Sequence, residues 1–499
     1  MQVIDEAYVP HLRAALTRAG FTVDNVFALI GEEAHHALAR NQVAPALRAT
    51  TGRGDLATLV RQFALQVPVD RRRVDAALPD LVEPLAAANM LQLSGDEVRA
   101  LVDIRPYGDE SHDWWIVCDS TPGLNGPQGV MNPEHVLGIS EASSSLAQLT
   151  VREPVGRALD LGTGCGVQAL HLAQHSGIVV ATDVNPRALQ MARLTASLNE
   201  LDIDVRDGSL FDPVAGEKFD LIATNPPFVI SPPGADVLVY RDSGMPGDSV
   251  VRHLVENAAT YLNDGGWCQI LANWAHHDGR DWQADLDEWF AGSPLDSWVL
   301  QRELVDPSEY VEMWLADAGL NTAPDYIQRY DAWLDWFASE RIDAVGFGWL
   351  SMRRTDEAPT RLFEEWTGEI APPIGPTVAA WGHRVDVMRH LEDTDLLDRA
   401  WKHAPDLVEE TRGPVGAEHP ESIVLRLQQG VRRARQVDTV EAGLVSASDG
   451  DLTAGQILDA LAMLLERDAG ELRSTYALSV RQLVEDGFLL PHQPAKMRA

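Results

Sequence analysis

The run Asn225-Pro226-Pro227-Phe228 follows an apolar stretch, Phe219-Asp220-Leu221-Ile222-Ala223-Thr224. A short apolar run of this kind predicts a buried strand, so a carboxamide and several backbone carbonyls stand at its mouth. An amide or exocyclic amine nitrogen is a poor nucleophile because its lone pair is delocalised. The Asn225 side-chain oxygen and the Pro226 carbonyl can accept its two N–H hydrogens. That orients the nitrogen and favours the electron distribution needed for attack. Prolines at 226 and 227 remove competing donors and stiffen the loop, and Phe228 offers a face for stacking a flat amide or base. The plainer alternative is a rigid loop after a strand. His276 and His277 are tempting bases, yet beside Trp274-Ala275 and a predicted loop they suit shape or substrate contact better. No Asp/His grouping has metal-ligand spacing.

Upstream, Leu159-Asp160-Leu161 leads into Gly162-Thr163-Gly164-Cys165-Gly166 and then a good helix from Val167. Glycines let a chain turn tightly and approach a ligand closely, and the helix start supplies free N–H groups. Asp183 ends the next predicted strand, where its carboxylate can accept from two ribose hydroxyls. The spacing Gly162-x-Gly164-x-Gly166 departs from the dinucleotide fingerprint G-x-G-x-x-G. Asp160 beside the loop would disfavour a pyrophosphate at the helix start. A cationic sulfonium with an amino-acid tail tolerates that acid, so charge favours a sulfonium donor over NAD.

These elements together resemble the seven-stranded, class I S-adenosylmethionine-dependent methyltransferases, most closely over residues 155–275. The resemblance implies S-adenosyl-L-methionine as cofactor, with Asp160, Gly162, Thr163, Gly164, Gly166, Asp183, Asn185 and Asn225 near it. It also implies an acidic adenine contact after the third strand. Here that segment is Asp207-Gly208-Ser209, with serine where the family most often has the acid; Asp207 or backbone then substitutes. The Asn-Pro-Pro-aromatic element resembles that of protein glutamine N5-methyltransferases acting on release factors, and equally that of RNA or DNA adenine N6- and guanine N2-methyltransferases. Tyr240–Asp248, with Arg241 as a substrate contact, loosely resembles a segment of the glutamine enzymes. In this chemistry Asn225, Pro226, Pro227 and Phe228 are the catalytic candidates, and no metal is required. A cofactor-sensing binding protein without turnover is the alternative from another class.

The chain has 499 residues and a formal charge of -35. That length exceeds one ordinary core and predicts two or three domains. The acidity repels phosphate backbones at long range, although salt screening leaves room for a local basic groove. Low basicity therefore favours a protein acceptor such as a translation factor, while winged-helix-like ends would favour RNA or DNA. Cys118, Cys165 and Cys268 are too few and too widely spaced for a disulfide framework or zinc site. Without a signal pattern or a long apolar run, the sequence reads as soluble and cytoplasmic, with no membrane partner.

The expected fold is α/β: a seven-stranded Rossmann-like sheet flanked by mainly helical, winged-helix-like N- and C-terminal domains. Residues 1–110 carry Leu12, Leu16, Phe27, Leu38, Leu47, Leu56, Leu59 and Phe63 at roughly helical spacing, then a short ribbon over 91–102. Residues 111–150 connect, with a strand at Asp113–Asp119 and a helix opening at Ser143. That helix start suits either a donor carboxylate or simple capping. Residues 151–355 alternate strands (157–161, 178–182, 202–206, 219–224, 266–273, 297–304, 344–353) with helices. The aromatic stretch 305–340 reads as added helices that favour packing over recognition. Residues 356–499 hold the basic Arg432-Arg433-Ala434-Arg435, read as paired with the chain's own carboxylates rather than with phosphate. A turn at Ser448–Asp451, two helices and a terminal apolar strand follow.

Overall fold

The computed structural model describes residues 4–492 apart from 53, 110, 125–131, 234–244 and 416–419. Contacts divide the chain into two compact units. One comprises residues 1–147 and 154–359, the other residues 148–153 and 360–499.

The first unit is built on a sheet whose strands are β1 (Val155–Leu161), β2 (Ser176–Asp183), β3 (Ile203–Asp207), β4 (Phe219–Thr224), β5 (Leu262–His277), β6 (Leu295–Val305) and β7 (Ile342–Arg354). Within this unit they lie in the order β6-β7-β5-β4-β1-β2-β3. The β5, β4, β1, β2 and β3 pairings are parallel, whereas β7 runs antiparallel to both β5 and β6. Parallel strands need crossovers, here including α1 (Val167–Leu172), α2 (Pro186–Leu198) and α3 (Ser249–Tyr261). Central strands read as apolar runs because they are buried on both faces; in β4 Leu221, Ile222 and Ala223 are all sealed from solvent. Register aligns the carboxyl ends: Leu161 lies opposite both Thr182 and Thr224, and Asp183 opposite Asp207. Such an edge, where the strand order reverses beside β1, is where open α/β sheets bind ligands. After β5 come α4 (Trp282–Trp289) and, between β6 and β7, the added helices α5 (Pro307–Asp317) and α6 (Tyr326–Glu340).

The N-terminal helices form no separate core. Leu12, Leu16, Phe21, Phe63 and Leu85 join one buried cluster with Leu170 of α1 and Met191 and Leu194 of α2. Phe27, one of the residues at helical spacing, is 44% exposed and meets the His35 ring edge-on. The ribbon at 91–100 is an antiparallel pair, Leu91–Ser94 against Glu97–Ala100, with Val69–Asp70 on its other edge. Asp113–Asp119 is a strand whose partner is Val102–Gly108.

The second unit has its own core, in which Trp401, Leu458, Leu472, Val480 and Phe488 are buried. Its helices include Gly375–Met388, Thr439–Ala447, Ala454–Leu464 and Ala469–Glu485. The segment expected as a turn at 448–451 is instead largely strand, Asp449–Thr453, beside Ala400–His403; its polar Asp-Gly-Asp start has low strand propensity, and pairing supplies the conformation. The arginine cluster is neutralised locally: Arg432 pairs with Glu369, Arg433 with Glu364, and Arg435 with Glu441. No helix among the described residues is long and apolar enough to cross a membrane.

Candidate active site

At the carboxyl edge of β1 the chain turns through Gly162, Gly164 and Gly166, all at positive φ (75°, 55° and 91°), a region that costs L-residues with side chains. A Cβ on Gly162 or Gly164 would meet nothing within 4 Å, so the loop presents open backbone rather than packed backbone. Gly166 serves as N-cap of α1. The loop is tied to β2: Gly162 and Thr163 donate their N–H groups to the Thr182 carbonyl at 2.9 and 2.8 Å, and Gly164 N–H donates to Asp183 Oδ2 at 2.9 Å. Asn185 N–H donates to Asp183 Oδ1 at 2.8 Å. With about four acceptor sites, the Asp183 carboxylate thus keeps capacity for an incoming hydroxyl. Burial, more than any neighbour, raises this carboxyl above its ordinary range.

A cavity of about 500 Å³ opens over this edge. Of the residues singled out by sequence, Gly162, Thr163, Gly164, Asp183, Asn185, Gly208, Ser209, Asn225, Pro226 and Pro227 line it. Asp160, Gly166, Asp207 and Phe228 are not among its lining residues. Asp160 is buried beneath the loop, its Oδ2 accepting from Thr163 Oγ1 at 2.6 Å and Ala169 N–H at 3.0 Å. It holds the loop's shape, and burial first, then the Asp183 charge, raises its pKa to about 7. Asp207 is exposed at the end of β3. Phe228 meets Trp314 of α5 edge-on at 6.3 Å. Arg241 lies outside the described residues.

The Asn-Pro-Pro side of the cavity rests on β4. Thr224 Oγ1 donates to the Leu161 carbonyl at 2.7 Å, fastening the end of β4 to the end of β1. Beyond the prolines, Ile230 N–H donates to the Tyr310 hydroxyl at 2.8 Å, and Asn273 Nδ2 donates to the same oxygen at 2.8 Å. Asn225 Oδ1 is buried and has no hydrogen-bond partner among the described residues. A sealed acceptor without a donor is costly, and this one stands in the wall of a cavity. His276 is committed to Gln301 at 2.8 Å. Among the described residues no group of three or more His, Cys, Asp or Glu is arranged to hold a metal ion.

Several lining residues carried no sequence signal. Val184 and Leu210 border the cavity beside Asp183 and Ser209, and Met245, Val250 and Leu254 line it as well. His135, Val136, Ser140 and Ser143 come from chain preceding the sheet. The sequence places a helix opening at Ser143; the helix is Glu141–Leu149, and Ser143 lies in its first turn. It exchanges capping bonds with Ser140, at 2.9 and 3.2 Å, and both serines border the cavity.

A sheet of this order thus brings a glycine loop, an acid on the next strand and an orphaned amide after β4 to one cavity. Residues 137–290 match the methyltransferase small domain. Residues 18–101 match a domain of unknown function (DUF7059). The chain is 30% identical over 179 residues to ribosomal RNA small subunit methyltransferase C of Salmonella arizonae, covering 36% of this chain and 46% of that protein. It is 32% identical over 143 residues to release factor glutamine methyltransferase of Geobacter sulfurreducens (25% and 49%). With ribosomal protein uL3 glutamine methyltransferase of Bradyrhizobium diazoefficiens the identity is 33% over 207 residues (39% and 60%). The chain thus spans about half the length of these relatives. Among solved structures, a Thermus thermophilus 16S rRNA N2 G1207 methyltransferase aligns at 18% identity over 46% of this chain and 60% of that one, with a TM-score of 0.28.

The residues present fit S-adenosylmethionine. Asp183 keeps acceptor capacity for vicinal hydroxyls, the glycine loop leaves room for close approach, and among the described residues no lysine or arginine lines the cavity to repel a sulfonium.

Proposed function

We propose that this protein transfers a methyl group from S-adenosyl-L-methionine to a planar nitrogen, an amide or an exocyclic amine, and that the acceptor is a protein glutamine at N5. The observation that carries this is the Asn225 oxygen, a buried acceptor without a donor at the cavity wall. The bound donor supplies an electrophilic methyl group on a sulfonium. Asn225 Oδ1 and the Pro226 carbonyl accept the N–H hydrogens of the acceptor and turn its lone pair toward that methyl group. Pro226 and Pro227 keep the loop from folding back on these oxygens. The proton leaves after the nitrogen has become cationic, so no strong base is needed.

The acidity of the chain, -35 in formal charge, supports a protein acceptor, because a phosphate backbone would approach against the field of the whole molecule. Two of the relatives are named for glutamine methylation. Ribosomal RNA is the second reading, favoured by the similarity to ribosomal RNA small subunit methyltransferase C; Arg241 would be a substrate contact in either case.

Transfer of labelled methyl groups into a cell extract tests both. Wild-type protein should label protease-sensitive material that survives nuclease. Loss of label after nuclease alone would reject the protein acceptor. Asn225→Ala should bind the donor as wild type does but label about a hundredfold more slowly, the scale for loss of a preorganised hydrogen bond to the reacting group. Unchanged turnover would remove the clamp.

A further inference from the structure

Part of the donor cavity is walled by chain that belongs to neither the sheet nor its crossovers. His135, Val136, Leu137 and Gly138 line it, ahead of Ser140 and Ser143. Residues 132–140 contain no helix or strand, so their place over the cavity depends on tethers. Asp119, the last residue of the strand Asp113–Asp119, holds them from one side. Its N–H donates to the Val136 carbonyl at 3.0 Å, and its Oδ2 accepts from Val136 N–H at 2.9 Å. Arg187, in the first turn of α2, grips the same carboxylate, with Nε at 3.0 and 2.7 Å from the two oxygens and a further contact from Nη2. From the other side Asn185 Nδ2 donates to the Glu134 carbonyl at 3.0 Å, and Gln168 Nε2 donates to the Ser143 carbonyl at 2.7 Å.

Asp119 is 8% exposed and carries the central tether. Bonds made in such a place are not readily replaced by water when one partner is lost. Neither Asp119 nor Arg187 lines the cavity, so their effect must pass through the stretch they hold. The acceptor side has fastenings of its own, Thr224 on Leu161 and Ile230 on Tyr310.

We infer that Asp119 and Arg187 are a positioning pair that fastens residues 134–138 over the donor, so that the segment connecting the N-terminal region to the sheet sets donor affinity. This rests on the cavity being the S-adenosylmethionine site. The pair acts by closing one wall, which removes a bound donor from water and holds backbone and His135 against it. Losing the pair releases that wall while Asn225 and its support stay in place.

Calorimetric titration of the full-length protein with S-adenosylmethionine and with S-adenosylhomocysteine tests it. Asp119→Asn and Arg187→Gln should each weaken both ligands by about tenfold to a hundredfold, the scale of leaving a buried hydrogen-bond partner unsatisfied. Arg187→Lys, which keeps the charge but loses the two-pronged grip, should fall between them and wild type. In turnover assays the KM for the donor should rise by more than kcat falls, a split that general loss of folded protein would not produce. Wild-type affinity in Asp119→Asn would overturn the inference. Should that variant fail to fold, hydrogen exchange on the wild-type protein decides: amides of residues 134–138 should gain protection when S-adenosylhomocysteine binds, and no gain would overturn it. Absence of binding to the wild-type protein would instead remove the donor assignment, and this inference with it.

Discussion

Asp160 is the residue whose chemistry the site alters most clearly. Its carboxyl is raised to about 7, by burial first and then by the charge of Asp183, while the Thr163 hydroxyl and Ala169 N–H pull it down. The sign of the linkage follows. A folded-state pKa above the unfolded value near 3.8 means that the folded state binds the extra proton. The stability this provides is fully present below the unfolded pKa and is lost as pH rises through about 7. Asp160→Asn should therefore remove a slope of up to about 1.4 kcal/mol per pH unit across that window. Thermal unfolding from pH 4 to pH 8 checks this; an unchanged slope would mean that Asp160 is ionised throughout. The side chains that sequence brought forward, Asp183, the loop glycines and Asn225, were legible because each lies in a contiguous motif at a strand end. Val184, Leu210 and His135 were not, since what brings them to the cavity is tertiary structure, and an apolar residue after a strand has many ordinary uses. Asp160 was legible as a residue but not in its place: sequence spacing cannot tell a carboxylate that faces a ligand from one buried under the loop.

Among the elements, the helices added between β6 and β7 bear on the acceptor side. The aromatic stretch that produces them was read as packing, and its centre is packed. Tyr310 and Phe337 are buried to 0 and 1% exposure, while Trp314, Trp333 and Trp336 remain half-buried around them. The Tyr310 hydroxyl does more than fill space, because it accepts from Ile230 N–H in the Asn-Pro-Pro loop and from Asn273 on β5. Tyr310→Phe keeps the ring and removes the acceptor, leaving two buried donors without it. The expected outcome is a loss of about 1–3 kcal/mol in stability together with a lower kcat and an unaltered donor affinity. Denaturant unfolding paired with donor titration measures both; a change confined to donor affinity would contradict the assignment of α5 to the acceptor side. Strands such as β4 were legible because burial on both faces forces an apolar run. The strand Val102–Gly108 was missed beyond its first residue: Arg105 and Pro106 interrupt the pattern, and pairing with Asp113–Asp119 decides its conformation.

For the whole molecule, the question is whether the N-terminal region is an accessory or part of the enzyme's body. The strand Asp113–Asp119 docks on α2 in a way that imitates strand pairing. Asn199 accepts from Trp115 N–H at 2.9 Å and donates to the Trp115 carbonyl at 2.8 Å, and Thr195 Oγ1 accepts from Val117 N–H at 3.1 Å. Behind this seam Leu170, Met191, Leu194 and Leu198 share one core with Leu12, Leu16 and Phe63. Sequence could separate a helical region from an α/β region by their periodicities, but not reveal that the two bury their apolar faces against each other. A chain beginning at residue 112 would expose that surface of α1 and α2, at a cost of roughly 1.5–3 kcal/mol for each large side chain returned to water. Several such side chains exceed the margin of an ordinary domain. The truncated chain should elute as aggregate in size-exclusion chromatography and lack cooperative unfolding and donor binding, although every residue of the glycine loop and the Asn-Pro-Pro-Phe element is retained. A monodisperse fragment that binds S-adenosylmethionine with full-length affinity would show that the shared core is dispensable, and that the tether through Asp119, which the fragment keeps, holds the cavity wall without it.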